Sequence, residues 1–212
     1  MARKTYHHGD LKNALIKAGI RILSKEGVAG LSLRKVASKA GVSHTAPYAH
    51  FADKQALIAA ISTEGYRMLY ERITAVTRRY EGDPLKQLVE ASWAYVEFAL
   101  DEPDHFRITL SGVVEKEKDY PAFVEMSQKG FAVVVEITGA CQAAGILDEG
   151  PADLTALSVW GLVHGIASLI LEGQVSHNIL DRMSVRDLLI FSLNQVTRVQ
   201  IPIEASIAKS RE

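Results

Sequence analysis

An all-α chain in two parts is what this 212-residue sequence predicts: an N-terminal helix-turn-helix module of three helices, residues 1–60, joined to a larger C-terminal helical domain, residues 61–212. Three observations carry that expectation. Apolar residues recur at three- and four-residue spacing, and no stretch alternates convincingly with period two. Capping residues and prolines fall where helices would begin. The tetrapeptide "AGVS", Ala40 to Ser43, reads as the tight turn between two short helices, with Gly41 supplying left-handed backbone.

The elements follow in order. Leu11, Leu15, Ala18, Ile22 and Leu23 share one face of a first helix from about Asp10, its expected cap, to Lys25, with Gly27 as its stop. Ser32 is a good N-cap for a second helix that turns Leu33, Val36 and Ala37 inward. Ser43 is expected to cap a third, ending near Phe51. Pro47 would be its fourth residue, where a missing N–H costs one helix bond and predicts a 3₁₀-like opening turn. Asp53 caps a long fourth helix to about Arg79, which the two domains share. Further helices are expected at about 84–101, 104–112, 119–145, 152–173 and 184–200, with Pro84, Pro121 and Pro151 near starts and "SVRD" (Ser184 to Asp187) as a capping box.

Charge is distributed unevenly. Residues 1–60 hold ten Lys/Arg against three Asp/Glu, a net of +7; residues 61–212 hold fourteen against twenty-two, a net of −8. A basic module on an acidic body is the electrostatic footprint of nucleic-acid binding by the first part, with a solvated charged face as the plainer alternative. The single cysteine, Cys141, has no partner in the chain for a disulfide, which fits a reducing compartment. No apolar run reaches the roughly 20 residues of a membrane span. Leu154 to Leu171 comes nearest, and Trp160, His164 and three Ser/Thr residues interrupt it. These features give the expectation of a cytoplasmic protein with no membrane partner.

The stretch "LSLRKVASKAGVSHTAPYAHFADKQAL" resembles the DNA-binding module of the tetracycline-repressor (TetR) family of transcriptional regulators. The carrying residues are Ser32, Val36, Ala37, Ala40 to Ser43, Tyr48, His50, Phe51, Lys54 and Leu57. Pro47 departs from that pattern, in which a bulky apolar residue usually stands. The resemblance implies a recognition helix in the major groove, read from its N-terminal end. His44 and Thr45 are then the candidates for base edges, and Ala46 for a thymine methyl. Tyr48, His50 and Lys54 resemble positions that contact the DNA backbone, with closure of the small core as the alternative for Tyr48 and His50. Ser32 and Ser43 would offer helix N-termini to phosphate, and Arg34 a base or phosphate contact. Arg3 and Lys4 form a candidate basic arm. "YHHGD", Tyr6 to Asp10, carries metal-ligand types, but adjacent histidines diverge, and no metal or cofactor is expected.

The segment "ADLTALSVWGLVHGIASLILEG" is apolar nearly all round. A helix of that kind needs cover on two sides, one from its own domain and one from a second chain, so a homodimer through the helices at 152–173 and 184–200 is expected. The grouping of Trp160, His164 and Gly165 resembles a "WHG" C-terminal subgroup of the same family. The family resemblance implies a small, largely apolar or aromatic effector held between helices of this domain. Candidate lining residues are Trp93, Tyr95, Phe98, Phe106, Met126, Phe131 and Trp160, with His164 either orienting a polar end of the effector or sitting in the dimer seam. The function implied is a homodimeric, ligand-responsive repressor of a partly palindromic double-stranded operator. Two alternatives stay open: a helical DNA-bridging or partner-binding protein without an effector, and an enzyme with an appended helix-turn-helix. No Ser/His/Asp or Cys/His set or phosphate-cradling glycine loop supports the enzyme.

Overall fold

The computed structural model describes residues 8–203, and every described regular element is helical. In chain order these are α1 (His8–Gly30), α2 (Leu33–Ala40), a 3₁₀ turn (Ala46–Ala49), α3 (Lys54–Arg79), α4 (Pro84–Asp101), α5 (Pro103–Leu110), a second 3₁₀ turn (Glu117–Asp119), α6 (Pro121–Ala143), α7 (Ala152–Leu171), α8 (His177–Leu180) and α9 (Val185–Leu193). They form two compact units. Among the described residues, the first comprises 8–67 and 104–127, the second 68–103 and 128–203. The first unit thus takes in α5 and the start of α6 beyond residues 1–60.

In the first unit, Leu15, Ile22, Val36, Leu57, Ile58 and Ile61 are almost wholly buried in one apolar core, which Phe51, Ile108 and Phe123 extend. α3 and α5 approach closely at Gly65, where a Cβ would collide with the Thr109 hydroxyl. α1 opens at His8, so Asp10 is an interior residue rather than its cap; the helix breaks at Gly27, whose φ of 66° and ψ of −172° are not helical. Ser32 Oγ accepts from Lys35 N at 3.2 Å and caps α2, and Gly41 ends it in the left-handed region at φ 71°. Asp53 Oδ1 accepts from Ala56 N at 2.8 Å and caps α3.

The expected third α-helix is absent, and Pro47 is the physical reason. Without an N–H at residue 47, the Ser43 carbonyl takes the tighter bond from Ala46 N at 3.0 Å, and Thr45 O accepts from Tyr48 N at 3.2 Å. Pro47 O then accepts from both His50 N and Phe51 N at 2.9 Å. The 3₁₀ character expected for the opening turn covers the whole element. Ser43 does not cap it: its Oγ lies 3.1 Å from Thr45 Oγ1 instead.

In the second unit, α4 packs on α7 and α9, and α7 also packs on α9. Ala156, Val159, Val163 and Ala167 form the buried stripe of α7. α9 stops at Leu193, seven residues short of the expected end. Asn194 Nδ2 donates to Ile201 O at 3.0 Å, Ile201 N donates back to Asn194 Oδ1 at 2.8 Å, and Thr197 Oγ1 lies within bonding distance of Leu193 O and Val199 O. These side-chain bonds offer the backbone an alternative to continuing the helix. The capping box at Ser184 and Asp187 is present, with both side chains engaged. α7 is long and apolar enough to cross a membrane by length and composition alone. Its packing on α4 and α9 is that of a helix in a folded bundle.

Candidate nucleic-acid interface and interior cavity

The first unit gathers most of the candidate contact residues on exposed positions around the α2 turn. Ser32, Arg34, Ser43, His44, Thr45, Tyr48 and Lys54 are all exposed, Tyr48 at 55% despite its aromatic ring. A tyrosine that closed the small core would be covered, so that alternative does not hold for Tyr48. Ala46 is half-buried. Pro47 is almost wholly buried, so the ring points into the protein and fills the place of the bulky apolar residue.

His44 is held rather than loose. Its Nε2 lies 3.0 Å from Ser38 Oγ, and Ser38 Oγ donates to Arg34 O at 3.1 Å. A serine hydroxyl has one proton, so His44 Nε2 carries the proton in the first bond and Nδ1 is the ring's other polar atom. In a neutral ring Nδ1 accepts, which suits the amino group of adenine or cytosine. His50 is placed differently from the expectation. It is half-buried, its ring tilts against Phe51 at 6.2 Å, and its Nε2 is buried without a partner. Packing therefore claims that edge, and any phosphate contact by His50 falls to Nδ1. Arg3, Lys4, Tyr6 and His7 lie outside the described residues.

The second unit contains a small cavity of about 40 Å³. Its wall comes from four helices: Ile73 of α3, Leu88 and Tyr95 of α4, Val134 and Thr138 of α6, and Val159 and Trp160 of α7. That volume is far below the roughly 300 Å³ at which small-molecule pockets begin, so an effector would have to widen the cavity. Tyr95 Oη lies 2.8 Å from His164 Nδ1 and accepts from Trp160 Nε1 at 3.1 Å. His164 Nε2 approaches Ser168 Oγ at 3.4 Å. Burial holds the His164 pKa below its usual value, which favours the neutral imidazole.

The aromatic candidates divide accordingly. Tyr95 and Trp160 line the cavity, Phe131 packs on Trp160 with ring centroids 6.1 Å apart, and His164 supports Tyr95. Trp93 is elsewhere, under the Arg186 guanidinium at 5.3 Å, which itself pairs with Glu90. Phe98 is fully buried with Arg72 over its ring at 5.6 Å. Phe106 and Met126 belong to the first unit, Phe106 as a buried residue of α5. Aromatic content found two wall residues, Tyr95 and Trp160, but not the rest, because helical phase decides which aromatic faces inward. The wall is mostly aliphatic, and Val, Ile and Leu at core spacing carry no signal separating wall from plain core. Cys141 is buried, with its thiol pushed up to about 12, and is unsuited to thiolate chemistry.

A short helix, a glycine turn and an exposed polar row ahead of a helical bundle with an interior cavity define the class of helix-turn-helix transcriptional regulators. Comparison with known proteins gives the family. Residues 15–61 match the model for bacterial regulatory proteins of the tetR family, and residues 88–193 match the tetracyclin repressor-like C-terminal domain. The chain is 30% identical to the HTH-type transcriptional regulator CymR of Pseudomonas putida over 169 residues, covering 74% of this chain and 78% of that protein. Its fold superposes on a protein of unknown function from Rhodococcus sp. RHA1 with a TM-score of 0.73, at 30% identity, covering 91% and 96% of the two chains. It also superposes on a tetR-family regulatory protein from Rhodococcus RHA1 with a TM-score of 0.71, at 20% identity, covering 88% and 96%. The chain belongs to the TetR family of transcriptional regulators.

Proposed function

We propose that this protein is a homodimeric repressor that binds a partly palindromic operator and is released from it by a small, largely apolar effector. The observation that carries the DNA half is the exposed row Arg34, His44, Thr45, Tyr48 and Lys54 on a module whose sequence is net basic. His44 and Thr45 read base edges, while Tyr48, Lys54 and the amide groups at the start of α2 hold phosphates. Ser32 leaves further α2 amides for that purpose. The 3₁₀ element presents His44 and Thr45 on the turn before it, so reading occurs from a turn rather than from a helix flank.

The dimer half rests on the uncovered side of α7 and α9. Leu154, Leu157 and Leu169 on α7, Phe191 on α9 and Val196 just beyond it are exposed in the single chain. Gly161, also exposed, permits close approach of a second helix. Two such helix pairs related by a two-fold axis bury the patch in a four-helix interface. The effector half rests on the cavity beside Tyr95 and Trp160. Occupancy favours a spacing of the two DNA-binding modules that does not match adjacent major grooves, and by linkage DNA and effector weaken each other equally.

Selection of binding sites from random duplexes with the full-length protein tests this reading. The expected result is an enriched, partly palindromic consensus; recovery of unenriched sequence overturns it.

A further inference from the structure

Ser38, on the last turn of α2, is exposed and reaches across the Gly41 turn to His44. Its Oγ donates to Arg34 O at 3.1 Å, one helical turn back, and lies 3.0 Å from His44 Nε2. Thr63, Ser158 and Ser192 direct their hydroxyl protons to the carbonyl one turn back in the same way. A serine hydroxyl has one proton, and a carbonyl oxygen can only accept. Turning that proton toward His44 would set two oxygens lone pair to lone pair at 3.1 Å. Ser38 therefore accepts from His44, and Nε2 is the donor. Thr45 is held differently: its Oγ1 lies 3.1 Å from Ser43 Oγ, and either hydroxyl can donate. Of these two base-reading candidates, only His44 has its polarity fixed by the protein.

A free neutral imidazole offers a base either a donor or an acceptor, because its proton can sit on either ring nitrogen. The bond to Ser38 removes that choice. With the proton on Nε2 and Nε2 tied to α2, the polar atom left for DNA is Nδ1, which can only accept. In the major groove the matching groups are the N6 amino group of adenine and the N4 amino group of cytosine. Guanine N7 and O6, adenine N7 and thymine O4 all present lone pairs instead. We infer that Ser38 is a positioning residue for sequence reading: by holding His44 through Nε2, it makes His44 select a base that presents an amino group and reject one that presents an acceptor in its place. This rests on the reading of His44 as a base contact.

Binding of the full-length protein to duplexes carrying single functional-group changes tests the inference, at about pH 8, where histidine side chains are ordinarily neutral. Site selection with wild type and His44→Ala first locates the base pair that His44 reads, as the position whose preference His44→Ala loses. At that pair the major-groove amino group is deleted, with purine replacing adenine or pyrimidin-2-one replacing cytosine. Separately, N7 of the purine is deleted with the 7-deaza analogue. Deleting the amino group is expected to weaken wild-type binding about tenfold, as one lost hydrogen bond implies, and the 7-deaza change less than about twofold. His44→Ala, which subtracts any effect of the analogue on the duplex itself, shows less than about twofold for both. Ser38→Ala, at an exposed helical site where alanine is the better helix former, shrinks the amino-group effect to about threefold or less. Ser38→Thr, which keeps a hydroxyl able to bond one turn back, restores it. A loss on removal of N7 instead of the amino group, an amino-group effect unchanged in Ser38→Ala, or one not restored by Ser38→Thr overturns the inference and leaves His44 as a base contact. If His44→Ala returns the wild-type consensus at every position, His44 reads no base, and that reading falls together with the inference.

Discussion

Tyr95 on α4 and His164 on α7 are hydrogen-bonded at 2.8 Å, and the Trp160 indole donates to the same tyrosine oxygen at 3.1 Å. One phenol thus ties together two positions of α7 that stand four residues apart. Tyr95→Phe withdraws the acceptor from Trp160 Nε1 and the hydrogen-bond partner from His164 Nδ1. A loss of about 1–3 kcal/mol of stability is expected, measured by urea denaturation. His164→Gln in the same background should add little, since the bond is already gone; fully additive losses would show that the two residues act separately.

The same pair sets a pH dependence. Burial lowers the folded-state pKa of His164 below its ordinary value of 6.5, so the unfolded chain binds the proton more readily. Stability from this group is therefore present above pH 6.5 and declines as pH falls from 6.5 toward the lower folded value. Thermal melts across that window should fall less steeply with acidification in His164→Gln than in wild type. A parallel pair of curves would remove His164 as the responsible group.

Pro47 gives a third expectation. Its ring is almost wholly buried, and Pro47→Ala removes about two methylene equivalents from the core of the first unit. Restored unfolded-state freedom adds about 0.4–1 kcal/mol to the loss, while recovery of an N–H at residue 47 offsets part of it. A net destabilisation of about 1–3 kcal/mol is expected, larger than the near-cancellation that an exposed first-turn proline would give. The N–H that Pro47→Ala introduces can also reach the Ser43 carbonyl, converting the 3₁₀ turn toward an α-helix and moving His44 and Thr45. Site selection with Pro47→Ala should then return an altered consensus; an unchanged one would show that the turn geometry does not set base reading.

The proposed interface has a sharp internal contrast. Leu157 and Phe191 are 51% and 49% exposed, whereas Leu189, two residues from Phe191, is 0% exposed. Leu157→Glu and Phe191→Glu should sediment as monomers with native helix content, because the charge would meet a dry partner surface. Leu189→Glu should instead unfold the second unit, and so cannot report on assembly. Unchanged dimers for both exposed variants would place the interface elsewhere.

Much of this was legible in the residues themselves. Ser32, Gly41 and Asp53 do what cap and turn chemistry demands of them, and the core face of α1 follows its spacing. Local rules suffice where one residue acts on its own backbone. They failed where the decision was longer-ranged. Pro47 turned an expected α-helix into a 3₁₀ turn because the carbonyls around it had to find other donors. Asn194 ended α9 through Ile201, seven residues away, a bond that periodicity does not encode. Trp93 and Phe98 left the cavity by helical phase, and Ser38, a small polar residue, was overlooked as the partner of His44 because nothing in its local sequence distinguishes it.

Titration of a selected operator duplex against salt is the sharpest check on operator binding, because it reads phosphate contact and sequence preference together. Log affinity is expected to fall steeply with log salt, at about −0.9 per phosphate contact, and a scrambled duplex should bind far more weakly. Lys54→Ala should weaken both duplexes alike and flatten the slope by about one unit per protomer, while Thr45→Ala should narrow the gap between them. A slope near zero, or equal affinity for selected and scrambled duplexes in the wild-type protein, would contradict sequence-specific binding through this module.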